Sequence, residues 1–441
     1  MASQSPSAVA RRERSLNELS ATEIVRRIAA HETTAEAVVA DCLARIAARE
    51  PTVHAFANLD PELALARARE LDGGPVRGPL HGVPIGIKDV IDTADLPTEM
   101  GSPIYRGHRA ACDAACVALA LAAGAVILGK TVTAEFAGMT PGPTTNPHNP
   151  AHTPGGSSSG SGAAVADFMV PAAFGTQTGG SVLRPAAYCG VIGYKPTYNA
   201  FNRAGLKFAA ESLDTIGLIA RSLDDVELIT AVLLGAPLEP AAALGSAPTI
   251  GLCRTPLWET AQPETMRAVE DAAARLAAAG ATLRDVALPD AFAGLRVAAR
   301  ETINNYERSK GMAAEWASHR DLISPKLRRG IELGREMPYP DYVAALQLGE
   351  QCRARLDGVF EGFDILLAPC VNGEAPLGLD ATGDPSFQAI WTILHVPAMT
   401  LPTHRGPNGL PVGIQLIARR HDDRRLFACA RWVWERLGIE R

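Results

Sequence analysis

A lysine stands inside one of the most apolar stretches of the chain. Lys88 lies within 78–90, a Gly/Pro-rich apolar segment that predicts a short buried strand. Lysine is rarely buried unless it is paired or used in chemistry. Burial lowers the pKa of lysine because desolvation disfavours the ammonium form, and a neutral amine can act as a general base. Position alone also fits a lysine that ends the strand, either solvated or paired with Asp89.

A Ser/Gly-rich segment, 153–162, reads Thr-Pro-Gly-Gly-Ser-Ser-Ser-Gly-Ser-Gly. It could be a phosphate-binding loop at a helix N-terminus, as in small-molecule kinases with Gly/Ser loops. Residues 156–160 also match the G-x-S-x-G nucleophile elbow, but that elbow needs a strand directly before it, and 146–156 has the composition of a loop. The segment by itself favours a third interpretation, a Ser-capped helix that follows a flexible loop.

A second Gly/Ser turn closes the stretch Gly-Thr-Gln-Thr-Gly-Gly-Ser, 175–181. Two glycines before Ser181 allow the backbone to turn tightly and to point consecutive N–H groups to one side. Such N–H groups can stabilise a developing oxyanion while the neighbouring serine acts as nucleophile. The segment alone leaves open a tight turn without chemistry.

The three segments occur in a fixed order, with Ser157 69 positions after Lys88 and Ser181 24 positions after Ser157. In this arrangement the sequence resembles the amidase signature family, whose members use a Ser–cis-Ser–Lys triad. The resemblance covers nearly the whole chain. The ordered blocks that carry it are 79–90, 129–131, 135–137, 154–161, 175–185, 213–217, 364–369 and 409–415.

The resemblance implies a role for each candidate residue. Ser181 would be the nucleophile that forms an acyl-enzyme, and Ser157, preceded by a cis peptide bond, would pass its proton to a neutral Lys88. The resemblance implies neither a metal nor an organic cofactor. The oxyanion hole would consist of the backbone N–H groups of Thr178, Gly179, Gly180 and Ser181.

Two departures from the family pattern refine the expected substrate. Gln177 stands where many members have Asp, and 391–397 reads Trp-Thr-Ile-Leu-His-Val-Pro where many have an Asn-Leu-x-Gly-x-Pro-like segment. Both variants resemble the branch that contains malonamidase and its small-amide and carbamate-cleaving relatives. In malonamidase an arginine three residues after the nucleophile binds the substrate carboxylate, and Arg184 has that place here. Gln177 and Arg184 are therefore candidate substrate-binding residues, although we favour a structural ion pair for Arg184.

Several functions are compatible with these features. The leading hypothesis is an amidase that hydrolyses the C–N bond of a small carboxamide, anilide or carbamate. A glutaminase-type subunit of a tRNA-dependent amidotransferase shares the fold but is usually longer and works with partner proteins, and Gln177 and Trp391 weigh against it. Allophanate hydrolase is similar by motif but commonly carries an extra C-terminal domain. From another class, a Gly/Ser-loop nucleotide-binding kinase would need a catalytic acid, for which Asp167 is the nearby candidate. A Ser/His/Asp triad drawing on His395 or His421 is made unnecessary by the lysine.

The predicted fold class is α/β, with one large domain over 1–441 and a mixed twisted central sheet covered by helices on both faces. Within it we expect N-terminal helices over 1–75, a catalytic core with the triad over 76–235, a helical segment over 290–357 that could serve as a lid, and C-terminal core strands and a helix over 358–441. Periodicity predicts these elements, among others: helices 35–49 (stopped before Pro51), 113–123, 222–234, 263–279 and 424–437, and strands 249–253, 282–286, 365–369 and 412–418.

The composition is that of an ordinary globular protein, with 47% hydrophobic and 20% charged residues among 441. With 42 basic and 48 acidic side chains the net charge is −6, and no basic stripe predicts nucleic-acid binding. No apolar run is long enough to span a bilayer, and 1–16 lacks the apolar stretch of a secretory signal. The eight isolated cysteines, of which Cys112 and Cys116 are predicted on one helix, indicate reduced and mostly buried thiols. We therefore expect a cytoplasmic protein that acts on a small-molecule amide or carbamate, and a homodimer is compatible with the sequence.

Overall fold

The computed structural model describes residues 14–439. Within this range the strands form one mixed β-sheet of 11 strands. Its strands are β1 (Phe56–Leu59), β2 (Pro84–Lys88), β3 (Val126–Thr131), β4 (Ala172–Gln177), β5 (Ile192–Lys195), β6 (Thr215–Ala220), β7 (Thr249–Leu252), β8 (Thr282–Asp285), β9 (Ile365–Pro369), β10 (Ala398–Arg405) and β11 (Pro411–Ile417). Their order across the sheet is β1-β3-β2-β4-β6-β5-β10-β11-β9-β7-β8.

The sheet combines parallel and antiparallel pairs. Strand β2 runs parallel to β3 and β4, and β7 runs parallel to β8 and β9, whereas the other neighbours are antiparallel. Every residue of β2, β4, β5, β6, β9 and β11 is buried, so both faces of these strands are covered. The chain is thus a single large α/β domain with a mixed sheet, as predicted.

Helices account for most of the rest of the described chain. The α-helices are α1 (Ala21–Ala29), α2 (Ala35–Val53), α3 (Pro61–Asp72), α4 (Ala115–Ala122), α5 (Ser159–Ala166), α6 (Leu183–Cys189), α7 (Leu223–Leu234), α8 (Pro263–Ala278), α9 (Thr302–Gly311), α10 (Ala313–His319), α11 (Pro325–Glu336), α12 (Tyr339–Ala354), α13 (Leu356–Val359), α14 (Ser386–Ile393) and α15 (Asp423–Leu437). A π-helical segment covers Leu295–Glu301, and short 3₁₀ turns lie at Leu16–Glu18, Pro103–Tyr105, Glu135–Ala137, Trp258–Thr260, Asp290–Gly294 and Arg320–Leu322.

Side-chain caps explain where several helices begin. The hydroxyls of Ser20, Thr34 and Ser222 accept hydrogen bonds from backbone N–H groups in the first turns of α1, α2 and α7. Asp60 does the same for α3, whose first residue is Pro61. These starts follow directly from the local sequence.

Two helix predictions are wrong at their ends. Helix α2 continues through Pro51 to Val53, because a proline in the last turn removes only one backbone donor. Just beyond the helix, the Glu50 carboxylate accepts hydrogen bonds from the N–H groups of Ala55 and Phe56.

Helix α4 begins after Cys112, so Cys112 and Cys116 do not share a helix as predicted. Cys112 is exposed, whereas the other seven cysteines are buried, and all eight are free.

The sheet brings two of the predicted site segments to one edge. Because β2 and β4 are parallel neighbours, with Ile87 opposite Phe174, the residues that follow both strands emerge side by side. Helix α5 contacts β2, β4 and α6, which places the Ser/Gly-rich segment over the same edge. The fold therefore converges on the three segments that carry Lys88, Ser157 and Ser181.

The stretch 290–357 is helical, as predicted, with breaks before Pro325 and at Met337–Pro338. Helix α9 packs against α11 and α12. The role of 290–357 as a lid stays a prediction, and so does the internal division of the domain. Within residues 14–439, no helix has the length and apolarity required to cross a membrane. The prediction for the N-terminal segment falls mainly on 1–13, which lie outside the described residues.

Candidate active site

The Lys88 side chain is fully buried at the end of β2. Its Nζ donates hydrogen bonds to Ser157 Oγ at 2.7 Å and to Thr176 Oγ1 at 2.8 Å, and the Thr176 carbonyl lies 3.4 Å away. Burial lowers the pKa of Lys88 to about 7, so a large share of this amine is neutral near neutral pH. The environment is therefore that of a usable general base.

Lys88 is neither solvated nor paired with the aspartate beside it. Asp89 accepts a hydrogen bond from the Glu99 N–H at 3.0 Å and lies 3.6 Å from Lys130, a second buried lysine. Burial raises the pKa of Asp89 to about 6 and lowers that of Lys130 to about 8. The simpler explanations of Lys88 from sequence position do not hold.

Ser157 is fully buried and follows a cis peptide bond from Gly156, as the resemblance implies. The next residue, Ser158, donates its N–H to the Ser181 carbonyl at 3.2 Å, which ties the two serine segments together. Its hydroxyl accepts from the Thr176 N–H at 3.3 Å and does not cap α5. A helix does follow the Ser/Gly-rich segment, as predicted, but no serine side chain caps it. No strand directly precedes it, so 156–160 is not a nucleophile elbow.

The turn after β4 presents free backbone donors. The N–H groups of Thr178, Gly179, Gly180 and Ser181 have no hydrogen-bond partner within residues 14–439. The Thr178 hydroxyl is held by the Asp214 carboxylate, which also accepts from the N–H groups of Ala209 and Ala210. Four consecutive unpaired donors beside a serine at the edge of the interior can stabilise an oxyanion.

The Gln177 side chain holds this turn in place. Its Oε1 accepts from the Val182 and Leu183 N–H groups at 2.9 and 3.1 Å, and its Nε2 donates to Thr392 Oγ1 at 3.0 Å. The Thr392 hydroxyl donates in turn to the Gly179 carbonyl at 2.7 Å. Gln177 is fully buried with both polar ends engaged, so in this structure it holds the turn, and its role in binding substrate stays a prediction.

Arg184 also has a different partner from the one that we expected. Its Nη2 donates to the Gly156 carbonyl at 2.6 Å and to Thr382 Oγ1 at 3.1 Å. None of the described carboxylates forms an ion pair with Arg184, so the favoured structural role is carried by these two hydrogen bonds and the predicted ion pair is wrong. Its Nε and Nη1 are buried without a partner, and burial lowers the pKa of its guanidinium to about 10. Arg184 thus binds the carbonyl oxygen of the cis peptide bond between Gly156 and Ser157.

Sequence reasoning missed Thr176, Asp214 and Thr392. Asp214 lies in one of the blocks that carry the resemblance, 213–217, which was a usable signal. Thr392 lies in the departing segment 391–397, and its hydrogen bond to Gln177 shows that the two departures from the family pattern form one contact.

The His395-based triad and the kinase site that the sequence also suggested are not formed in the described structure. His395 lies with its Nε2 2.9 Å from the Ser212 carbonyl and stacks on Tyr198, and burial lowers its pKa to about 3. Asp167, the acid that a kinase would need, is buried and bound by the guanidinium groups of Arg45 and Arg49. In the part of the chain that the structure describes, no cluster of three or more His, Cys, Asp or Glu side chains could hold a metal ion.

The turn leaves no room for a side chain at Gly180. A Cβ on Gly180 would collide with Gln388 Oε1, and Gln388 is buried with its amide nitrogen bound to the Cys370 carbonyl. We expect Gly180→Ala to displace the N–H donors and to lower kcat about 100-fold, the scale of losing one oxyanion donor. Steady-state kinetics on a hydrolysed amide measures this.

Gly311→Ala is the matched control, because a Cβ at the end of α9 meets nothing within 4 Å. The double variant Gly180→Ala/Gln388→Ala should recover part of the lost kcat. If Gly180→Ala retains the wild-type kcat while folding normally, the turn is not the oxyanion hole.

Known proteins are similar to this chain over most of their length. The model of the family named Amidase matches residues 37–427. The chain is 37% identical to a subunit of the glutamyl-tRNA(Gln) amidotransferase of Chloroflexus aggregans, over 91% of this chain and 92% of that protein. A solved structure described as a vestigial protein complex that reveals the origins of an s-triazine catabolic enzyme has a TM-score of 0.87 and 30% identity, covering 96% of this chain and 99% of that one.

The native peptide amidase of Stenotrophomonas maltophilia has a similar structure, with a TM-score of 0.83 and 28% identity over 96% of this chain and 98% of that one. The family match spans well over half of the sequence, and it agrees with the resemblance carried by the Lys88, Ser157 and Ser181 segments. The chain belongs to the amidase signature family.

Proposed function

We propose that the protein is an amidase that hydrolyses the C–N bond of a small amide through an acyl-enzyme on Ser181. The observation that carries the proposal is the buried 2.7 Å hydrogen bond between Lys88 Nζ and Ser157 Oγ, in a setting that lowers the lysine pKa to about 7. The free N–H groups of 178–181 support it, because they lie on the residues that would hold the oxyanion.

In the acylation step, Ser181 Oγ attacks the carbonyl carbon and its proton passes through Ser157 to the neutral Lys88 amine. The negative charge on the carbonyl oxygen is stabilised by the backbone donors of the turn. As the C–N bond breaks, Lys88 returns the proton through Ser157 to the departing nitrogen. The products of this step are the free amine or ammonia and an ester of Ser181.

In the deacylation step, water attacks the Ser181 ester and gives its proton to Lys88 by the same route. The oxyanion collapses, the ester C–O bond breaks and Ser181 Oγ takes the proton back. The net reaction is amide plus water to carboxylic acid plus amine, and every residue returns to its starting state. Carboxamides, anilides and carbamates all contain a carbonyl carbon bonded to nitrogen, which is the bond that this mechanism cleaves. A substrate of the malonamidase-like branch remains part of the proposal.

A second candidate is the glutaminase-type subunit of a tRNA-dependent amidotransferase. The 37% identity to such a protein favours it, and since the two chains cover each other by more than nine-tenths, length is no argument against it. The Gln177–Thr392 contact, where many members have other residues, favours a stand-alone amidase. Glutamine hydrolysis that appears only when partner subunits are added would support the second candidate.

The proposal is tested by intact-mass spectrometry after treatment with a phosphonofluoridate, which needs no knowledge of the substrate. We expect one adduct on the wild type and none on Ser181→Ala. Ser159→Ala, from the same Ser-rich run as Ser157, should label like the wild type, because the Ser159 hydroxyl is turned to the Val132 carbonyl. No adduct on the wild type, or an adduct that persists in Ser181→Ala, would contradict the proposal.

A further inference from the structure

One guanidinium beside the turn has no protein partner. Arg300 lies in the π-helical segment Leu295–Glu301, and its Nη2 is 3.4 Å from the position that a Cβ on Gly179 would take. Its Nε is buried without a hydrogen-bond partner, and its terminal nitrogens bind no group within residues 14–439. A largely desolvated arginine without a partner is costly to the fold and calls for an explanation.

The acidic groups close to Arg300 are engaged elsewhere. Glu301 lies 3.8 Å from Arg296, and Asp384 accepts from the N–H and the hydroxyl of Ser386 at the start of α14. Burial and the neighbouring Arg296 lower the pKa of Arg300, while Glu301 and Asp384 oppose this shift without contacting the guanidinium. The positive charge beside Gly179 is therefore not neutralised by an ion pair in the described part of the chain.

Two further arginines add positive charge but are held in place. Arg184 is bound to Gly156 and Thr382, and Arg308 donates to the Phe136 carbonyl at 3.0 Å and to Asn304. Arg300 acts electrostatically on both. Of these three arginines, Arg300 alone has no hydrogen-bond partner to hold its guanidinium, and it is the one whose Nη2 lies next to Gly179.

We infer that Arg300 binds a carboxylate of the substrate, so that the amide hydrolysed at Ser181 is the half-amide of a short dicarboxylic acid. The planar guanidinium matches a carboxylate in two parallel hydrogen bonds. Because Arg300 lies against Gly179, in the turn that would hold the oxyanion, the carboxylate and the scissile carbonyl must be separated by a short chain. This inference rests on the proposed function and assigns its substrate class.

The kinetic test compares half-amides with neutral diamides of the same chain length, namely malonamate and succinamate with malonamide and succinamide. The wild type should prefer the half-amides. Arg300→Gln should lower kcat/KM for the half-amides by about 10- to 100-fold, mainly through KM, because a charge-assisted hydrogen bond is lost, and should leave the diamides within about threefold. Arg300→Lys should recover part of the preference.

Arg296→Gln is the matched control, since it removes a positive charge from the same segment, one that already lies near Glu301 and Ser386. It should retain the preference for half-amides. An equal loss for half-amides and diamides in Arg300→Gln would overturn the inference, because a purely structural role affects both. A wild-type enzyme that prefers the diamides would also overturn it.

A second measurement is independent of turnover. Malonate or succinate should protect Ser181 of the wild type from the phosphonofluoridate, and malonamide should not. In Arg300→Gln this protection should weaken by about 10-fold or more in dicarboxylate concentration. If Ser181 is labelled but dicarboxylates never protect it, the carboxylate site is wrong while the amidase proposal stands. If wild-type Ser181 is not labelled at all, both fail.

Discussion

Replacing Ser181 by alanine is expected to lower kcat/KM for amide hydrolysis by ~10⁴-fold or more, the scale of removing a nucleophile from a hydrolase triad. The reason is that Ser181 stands beside the free N–H groups of the turn, and its carbonyl is bound by Ser158, the neighbour of the Ser157 that contacts Lys88. Steady-state hydrolysis of the most rapidly cleaved amide, followed by ammonia release, measures the effect. Thermal unfolding should be nearly unchanged, since the substitution removes one oxygen at the edge of the interior.

Ser159→Ala provides the comparison from the neighbouring serine run and should keep its activity within a few-fold. Residual turnover of Ser181→Ala above about one-tenth of the wild type would show that another group attacks the carbonyl. In that case a loss of kcat in Gly180→Ala would still show that the turn 178–181 stabilises the oxyanion, separately from the role of Ser181 as nucleophile.

Replacing Lys88 by methionine is expected to lower kcat/KM by ~10³-fold, within the range that general-base catalysis contributes. Methionine fills a similar volume and cannot accept the Ser157 proton. In the wild type, kcat/KM should rise with pH through about 7, because the base acts when neutral and it is neutral above its pKa. The residual activity of Lys88→Met should lack this rise.

The same residue makes stability depend on pH. Burial lowers the pKa of Lys88 from 10.5 to about 7, so between these values the unfolded chain binds a proton that the folded protein does not. The free energy of unfolding therefore rises with pH across this window, by at most about 1.4 kcal/mol per pH unit for this one group. Urea unfolding at several pH values should show a shallower rise in Lys88→Met.

Lys195→Met separates catalysis from stability. Lys195 is also fully buried, its pKa is likewise lowered to about 7, and it donates to the carbonyls of Pro196 and Val396 and to no serine. This variant should flatten the pH dependence of stability in the same direction and keep the rise of kcat/KM near pH 7. A Lys88→Met enzyme that retains that kinetic rise would show that Lys88 is not the base.

The local sequence was sufficient to find the elements that hold the three candidate segments. An apolar Gly/Pro-rich run became β2, and a Gly/Ser run became the loop and start of α5, because strand and turn propensities act over a few residues. The order and spacing of Lys88, Ser157 and Ser181 identified the family, and parallel pairing of β2 with β4 then brings their ends together. Helix ends were less predictable, since α2 passes Pro51 with the help of Glu50.

What each polar side chain binds was decided by the tertiary structure. Gln177 meets Thr392 across 215 positions, Arg184 meets Thr382 across 198, and Arg300 reaches the turn at Gly179 from a separate helical segment. Hydrogen-bond partners so far apart leave no periodic signal in the chain, because they depend on the direction in which packed elements present their side chains. The sequence by itself indicated the candidate reactive residues. The packing of α14 and of Leu295–Glu301 against the turn decided which side chains support these candidates and left Arg300 without a hydrogen-bond partner within residues 14–439.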